Sequence, residues 1–319
     1  MITRVPGFWV GHASDFKNVT GCTVVLCPAG TVGSADIRGS AAGTRQMEAL
    51  LGFHIVNEVH AVLITGGSAF GLDAAGGVME YLEEQGRGFD VAVTRVPIVP
   101  TAVIYDLSVG NCRARPDKAM GYAACVAAKP EALGDGSLGA GTGASIGKLL
   151  GIRQATKGGL GTSFLKGPDD LLVGALAVVN AFGDVVDPQS GEILAGARTA
   201  PDSRQFADSI HLLRQGIVRR QFGEPNTTIG VVATNARLTR EEAQKVAQMG
   251  HNALARSIRP VHTLFDGDTI FVLAQPQIST DLHIIGLLAE TALEQAILNA
   301  VTNAHGLGVL PSYQDLRGG

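Results

Sequence analysis

Ser68 stands in GGSAFG, a serine at a strand-to-helix turn of the kind that can expose a nucleophile. The G-x-S-x-G spacing of that device requires glycine where Phe70 stands, so Ser68 does not fit it. GAGTGASIGK, residues 139–148, has the glycine content of a phosphate loop. In G-x-x-x-x-G-K-[ST], however, the first glycine falls on Thr142 and the closing hydroxyl on Leu149. A dinucleotide fingerprint fits Gly139, Gly141 and Ala144 only loosely, with no clear strand leading in. The eight histidines include no H-E-x-x-H and no Cys/His zinc spacing, so no metal site is expected. Thr227 and Thr228 begin the apolar run TTIGVVATNA; alone, two β-branched residues opening a strand are sufficient explanation. Asp266 and Asp268 flank a glycine in FDGDTIF, where they could orient a cationic amine or simply form a D-G turn.

The elements that must position these residues alternate between short β-rich runs and helical patterns. CTVVLC (22–27) and HAVLITGG (60–67) read as buried strands, each stopped by glycine or proline. Residues 70–84 carry Phe70, Ala74, Val78, Tyr81 and Leu82 at helical spacing, predicting a strand, glycine turn and helix. Residues 171–187 read as a hairpin turning near Phe182 and Gly183. From Pro188 to Asn226 the composition becomes small and polar without a sustained period, which predicts a surface excursion. A strong strand resumes at Thr227, followed by a helix opened by Thr239 with Glu242 three residues on and running to about Arg256. TIFVLAQ is a further strand. Residues 281–304 form a long final helix with Ile285, Leu288, Ala289, Ala292, Ala296 and Val301 on its apolar face. No repeat and no linker emerges, and the class is mixed α/β.

With 319 residues, 45% hydrophobic and 17% charged, the chain can bury a substantial core. Its 42 glycines fall inside motifs rather than a collagen or linker period, which implies tight turns and close backbone approach. A net charge of −4 gives no electrostatic reason to expect nucleic acid or an anionic membrane. No window approaches a membrane span or a signal peptide. Four irregularly spaced cysteines make no disulfide framework, so a soluble, reduced, cytoplasmic protein is expected.

The run NTTIGVVATNA (226–236) resembles the L-aminopeptidase/D-esterase (DmpA-type) family and its nylon-oligomer hydrolase relatives. VHAVLITGGSAFGLDAA, VPIVPTAVIYDL, RPDKAMGYAAC, GAGTGASIGK, KGGLGTSF and HTLFDGDTIF extend the resemblance over nearly the whole chain, in family order. It implies a four-layer αββα sandwich of the DmpA and ornithine acetyltransferase type. It also implies one hydrolase precursor, 1–319, that cuts itself between Asn226 and Thr227 into a 1–226 α-chain and a 227–319 β-chain. Thr227 then becomes an N-terminal nucleophile. A threonine hydroxyl reacts poorly until a base takes its proton, and a free α-amine of pKa about 7.7–8.0 on the same residue can serve. Pro225, just before the junction, departs from the flexibility expected there and restricts the backbone.

By the same resemblance Lys148 is the active-site lysine, which keeps the amine neutral or stabilises negative charge; a solvated helix-start lysine is the plain alternative. Asn180 matches an oxyanion donor or amine-orienting residue, against a turn-forming asparagine. Tyr105 matches a phenol near the oxyanion, against a core tyrosine. Asp266 and Asp268 resemble the paired acids of the nylon-oligomer branch, here expected to bind a substrate ammonium. The implied activity is hydrolysis at the N-terminal residue of small peptides, amides or esters, with no metal or organic cofactor and a homo-oligomer, often a tetramer. An acyltransferase of the ornithine acetyltransferase type, a polyamide-oligomer endohydrolase and a non-cleaving binding protein are the alternatives.

Overall fold

A computed structural model describes residues 1–131, 134–218 and 225–318. Alternating apolar segments form two five-stranded sheets. In chain order the strands are β1 (Trp9–Asp15), β2 (Thr20–Leu26), β3 (Val32–Gly39), β4 (Thr44–Arg45), β5 (Ala61–Thr65), β6 (Thr101–Val103), β7 (Gly159–Lys166), β8 (Leu172–Asn180), β9 (Thr227–Ala236) and β10 (Gly267–Ile278). Sheet one has the order β1-β2-β5-β6-β4 and sheet two β7-β8-β9-β10-β3. Within sheet two, β8 and β9 are antiparallel, whereas β9 and β10 are parallel. The parallel pair needs a crossover, which the helix α3 (Arg240–Ser257) supplies, with α1 (Ala74–Glu84) and α2 (Lys118–Val126) preceding it and α4 (Leu282–Thr302) following.

Period-two burial sorts β9 into two faces. Ile229, Val231 and Ala233 face sheet one, where they join Val25, Val62 and Ile64. Val232 and Ala236 face the other way, onto Val246, Leu254, Leu293 and Ile297 of α3 and α4. A separate core of Cys22, Val24, Leu63, Val78, Leu82 and Cys125 joins sheet one to α1 and α2. The three cores make four layers, helix, sheet, sheet and helix, as the resemblance implied. Each fully buried Ile, Leu, Val or Phe contributes about 1.5–3 kcal/mol, so the inter-sheet core holds β9 firmly. Helices α1 and α2 approach closely through glycine: a Cβ at Gly77 would lie 1.8 Å from the Lys118 carbonyl oxygen, and one at Gly121 1.9 Å from that of Ala74.

Thr239 caps α3 in a full capping box with Glu242, as its sequence predicts. Other expectations need correction. Residues 68–73 form a 3₁₀ turn before α1, and Phe70 is exposed with the Arg115 guanidinium 3.6 Å from its ring centroid. No hairpin forms over 171–187. β8 pairs with β7 and β9, while Asp184–Val186 leaves for a small three-stranded sheet with Ile193–Ala195 and Ile258–Arg259. The cause is the buried turn between them: the Phe182 ring packs on Phe265 at 5.4 Å, and its N–H donates to Asp266 Oδ1 at 3.3 Å.

The polar stretch after Pro188 is not simply a surface excursion. Leu194, Ala195, Ala197 and Arg198 are buried, and a short helix spans Ser209–Arg214. Its polarity is used internally. Arg198 donates to the carbonyls of Arg153 (2.8 Å) and Ala155 (3.3 Å), and buried Asp184 accepts from the Ser209 N–H (2.6 Å) and hydroxyl (2.8 Å). The part of this stretch at 219–224 lies outside the described residues. Helix α4 also corrects the reading of apolar windows: it is long and apolar enough by composition to cross a membrane. Here Ile285, Leu293, Ile297 and Val301 of that helix are buried in the core shared with sheet two.

Candidate active site

Thr227, the first residue of β9, pairs across the antiparallel ladder with Asn180, the last residue of β8. The glycine-rich loop 139–148 runs beside the chain that follows Asn180. Gly147 N–H donates to the Ala181 carbonyl (3.3 Å) and Lys148 N–H to that of Phe182 (3.1 Å). This returns the Lys148 side chain to Asn180: Nζ donates to Oδ1 at 2.8 Å and to the main-chain oxygen at 3.3 Å. Asn180 Oδ1 also accepts from Ser145 N–H at 3.0 Å, and Nδ2 donates to the Tyr105 main-chain carbonyl at 3.2 Å. Both ends of the amide are thus engaged, which fixes its orientation.

The loop is itself tied down from beneath. Lys157 is fully buried, and Nζ donates to the carbonyls of Gly141 (3.0 Å), Ala144 (2.9 Å) and Gly158 (2.8 Å). Burial pushes its pKa down to about 7, opposed by Asp106 and reinforced by Lys148. Asp106 accepts from Thr20 Oγ1 and Gly67 N–H, both at 2.7 Å, and burial raises its carboxyl.

The peptide bond before Thr227 is held by residues 265–267. Asn226 N–H donates to the Phe265 carbonyl at 2.7 Å, and the Asn226 carbonyl accepts from Gly267 N–H at 2.8 Å. The Thr227 hydroxyl donates to the same Asn226 carbonyl. Asp268 Oδ1 accepts from Thr228 N–H at 2.7 Å, and Oδ2 from His262 Nδ1 at 2.8 Å. Asp266 accepts from Thr263 N–H (3.0 Å), Thr263 Oγ1 (2.6 Å) and Phe182 N–H. Burial, then the Asp268 charge, raises the Asp266 pKa to about 6, against the hydrogen bonds that favour its ionised form.

All the residues anticipated from sequence therefore converge on one junction. Thr227, Asn226, Lys148, Asn180, Asp266 and Asp268 are buried in the intact chain, and Tyr105 is half-buried. Tyr105 and the two acids make the following contacts in the intact chain. Tyr105 meets Asn180 through its main-chain carbonyl, which accepts from Nδ2. The carboxylates of Asp266 and Asp268 are turned onto N–H groups of their own chain, with no exposed face for a substrate ammonium.

Gly267, Ser145, Phe182, Lys157 and His262 were not anticipated. The first three act through main-chain N–H groups, which no side-chain type announces. His262 and Lys157 lie inside the motifs HTLFDGDTIF and KGGLGTSF, whose histidine and buried lysine were available signals. Among the described residues, no group of three or more His, Cys, Asp or Glu side chains converges as a metal site requires.

Comparison with known proteins gives a consistent picture. Residues 1–310 match Peptidase family S58. The chain is 40% identical over 344 residues to an uncharacterized aminopeptidase of Mycobacterium leprae, covering 98% of this chain and 92% of that one. It is 32% identical over 317 residues to a 6-aminohexanoate-oligomer endohydrolase of Kocuria, covering 92% and 84%. Among solved structures, a Burkholderia beta-aminopeptidase superposes with a TM-score of 0.72 at 18% identity over 99% of this chain and 91% of the other. The L-aminopeptidase D-Ala-esterase/amidase of Ochrobactrum anthropi, a variant of the Ntn hydrolase fold, superposes at 0.70 and 17% over 95% and 86%. With a whole-chain family match and relatives at this identity, the chain belongs to peptidase family S58 and has the Ntn hydrolase type of fold.

Proposed function

We propose that the chain cuts its own Asn226–Thr227 bond and then uses Thr227 as the N-terminal nucleophile of an aminopeptidase or esterase acting on small peptides, amides or esters. The observation that carries this reading is the position of the Thr227 hydroxyl. It lies on the Asn226 carbonyl, whose oxygen already accepts from Gly267 N–H. Attack by Oγ on the Asn226 carbonyl carbon forms a C–O bond. The carbonyl oxygen gains negative charge and Gly267 N–H stabilises it. The C–N bond then breaks, and the hydroxyl proton ends on the Thr227 nitrogen, now an amine. Water hydrolyses the resulting ester, leaving an Asn226 carboxylate and a restored hydroxyl.

Catalysis on substrate follows the same two stages with the free amine as base: Oγ takes the acyl group, the leaving amine or alcohol takes the proton, and water releases the acid. Lys148 supplies positive charge one cross-strand pair from Thr227, and Asn180 holds its ammonium there. Asp268 fixes Thr228 N–H and so the start of β9. The aminopeptidase named among relatives at 40% identity favours that substrate class over the oligomer hydrolysed by the relative at 32%. Denaturing mass spectrometry of purified protein tests the reading directly. Two chains meeting between Asn226 and Thr227 are expected, and an intact chain that still hydrolyses amides rules the mechanism out.

A further inference from the structure

Asn226 extends the β9–β10 ladder by one rung beyond the nucleophile. It forms a parallel bridge with Asp266, N–H to the Phe265 carbonyl at 2.7 Å and carbonyl to Gly267 N–H at 2.8 Å. The partners in this rung fall on opposite sides of the proposed cut. Phe265 and Gly267 stay in the chain that begins with Thr227, and Asn226 becomes a carboxy-terminal residue of the other chain. Once Asn226 leaves, one acceptor and one donor stand beside the nucleophile, spaced to grip a single residue in extended conformation.

This edge is rigid before any substrate arrives. Gly267 pairs with Gly39 of β3, and the Asp266 carbonyl accepts from Ala41 N–H at 2.9 Å. A Cβ on Gly267 would lie 2.7 Å from Ala42 Cα, so the backbone of 41–42 packs directly behind it. The Asp266 side chain is anchored to Thr263 and Phe182 and leaves the main chain to do the recognition.

We infer that the main-chain edge of Phe265 and Gly267 is the acyl subsite of the processed enzyme, and that it recognises an α-aminoacyl residue by its backbone. The inference rests on the proposed self-cleavage. The acyl residue of the substrate takes the place of Asn226: its N–H donates to the Phe265 carbonyl and its reacting carbonyl accepts from Gly267 N–H. Pro225 acylates Asn226 in the intact chain, so the subsite admits an N-capped residue as well as a free amine. A 6-aminohexanoyl group carries its nitrogen several methylenes from the carbonyl and cannot make both bonds at once. The released end, carrying Asn226, is a competitor for the same edge.

The test uses the cut, two-chain protein and N-acetyl-asparaginyl p-nitroanilide, whose acyl residue reproduces Asn226. Its comparison is the depsi analogue, in which oxygen replaces the α N–H without change of shape. kcat/KM is expected to fall about tenfold or more for the analogue, the effect of losing one hydrogen bond and facing two oxygens together. Acetyl-prolyl-asparagine is expected to inhibit competitively, and its depsi analogue to inhibit much less. Equal turnover of the two anilides by a cut, Thr227-dependent enzyme overturns the subsite and leaves the nucleophile in place. So does failure to hydrolyse either N-capped compound by an enzyme that hydrolyses a free aminoacyl anilide. An uncut, inactive chain overturns the proposed function itself, and the subsite with it.

Discussion

Asn180 and Thr227 face each other as the end of one strand and the beginning of its antiparallel neighbour. This single register position links the polar cluster around Lys148 to the junction held by residues 265–267. A slip of one residue in β8 or β9 would turn each side chain to the opposite face and separate the two halves.

The first prediction concerns the hydroxyl. Thr227→Ala removes the hydroxyl proposed to attack Asn226 while leaving a small residue on a buried strand. The protein is expected to remain one chain, with hydrolysis reduced to background. Thr227→Ser keeps the hydroxyl and is expected to cut. Mass and activity of both variants, read together, check this; processing of the alanine variant at the same bond would assign the cut to another group.

Lys148→Met keeps the unbranched apolar stem of the side chain, one atom shorter, and removes the Nζ that bonds Asn180. Ser145 N–H still pairs with Asn180 Oδ1, so the amide remains oriented. Loss of an electrostatic stabiliser of this kind costs about 10²–10³ in rate. Steady-state kinetics on a variant with an unchanged melting temperature is the measurement. Turnover near that of the wild type would return Lys148 to a purely structural role.

Asp266 gives a pH signature in stability. Its carboxyl titrates at about 6 in the folded chain against an ordinary value of 3.8, chiefly because it is buried. The folded state thus binds the proton more tightly than the unfolded state, and stability falls as pH rises from about 4 through 6. Asp266→Asn removes that titration but weakens the bonds to Thr263. The advantage of wild type over the variant is expected to be largest below pH 4 and to shrink as pH passes 6. Thermal melts across that range, with the catalytic reaction absent, decide it; a constant difference would mean that the pKa is not raised.

Much of this arrangement was legible in the sequence because its signals are local. The β9 run is apolar on both faces, and Thr239 and Glu242 announce α3 through a cap that needs no tertiary partner. The Asp266-Gly267-Asp268 triplet and the loop ending at Lys148 came from the family resemblance. What failed depended on distant contacts. The hairpin over 171–187 was diverted by Phe182 packing against Phe265, more than eighty residues away in sequence. The stretch after Pro188 looked solvated because composition does not reveal that Asp184 and Arg198 bond to the buried main-chain groups of Ser209 and Ala155. Gly267 was invisible as a donor since any residue but proline carries the same N–H.

His262 carries the last prediction. Its Nδ1 donates to Asp268 Oδ2 at 2.8 Å, while Asp268 Oδ1 holds Thr228 N–H at 2.7 Å, so the imidazole reaches the nucleophile's strand through one carboxylate. The ring also stands edge-on to His251 at 4.9 Å, and burial lowers the pKa of His251 to about 3, keeping that neighbour neutral. His262→Ala removes the donor and leaves the Asp268 carboxylate less constrained. It also places alanine at a φ of 53°, in the left-handed region that disfavours it. His262→Asn is the informative variant. Asparagine tolerates that φ, and its Nδ2 can occupy the place of Nδ1. The alanine variant is expected to lose about tenfold in kcat with little change in KM, the split that follows from Asp268 acting through its bond to Thr228 N–H. The asparagine variant is expected to recover most of that loss. Equal defects in the two would mean that the ring matters for packing on His251, and equal wild-type rates that Asp268 holds Thr228 without its help.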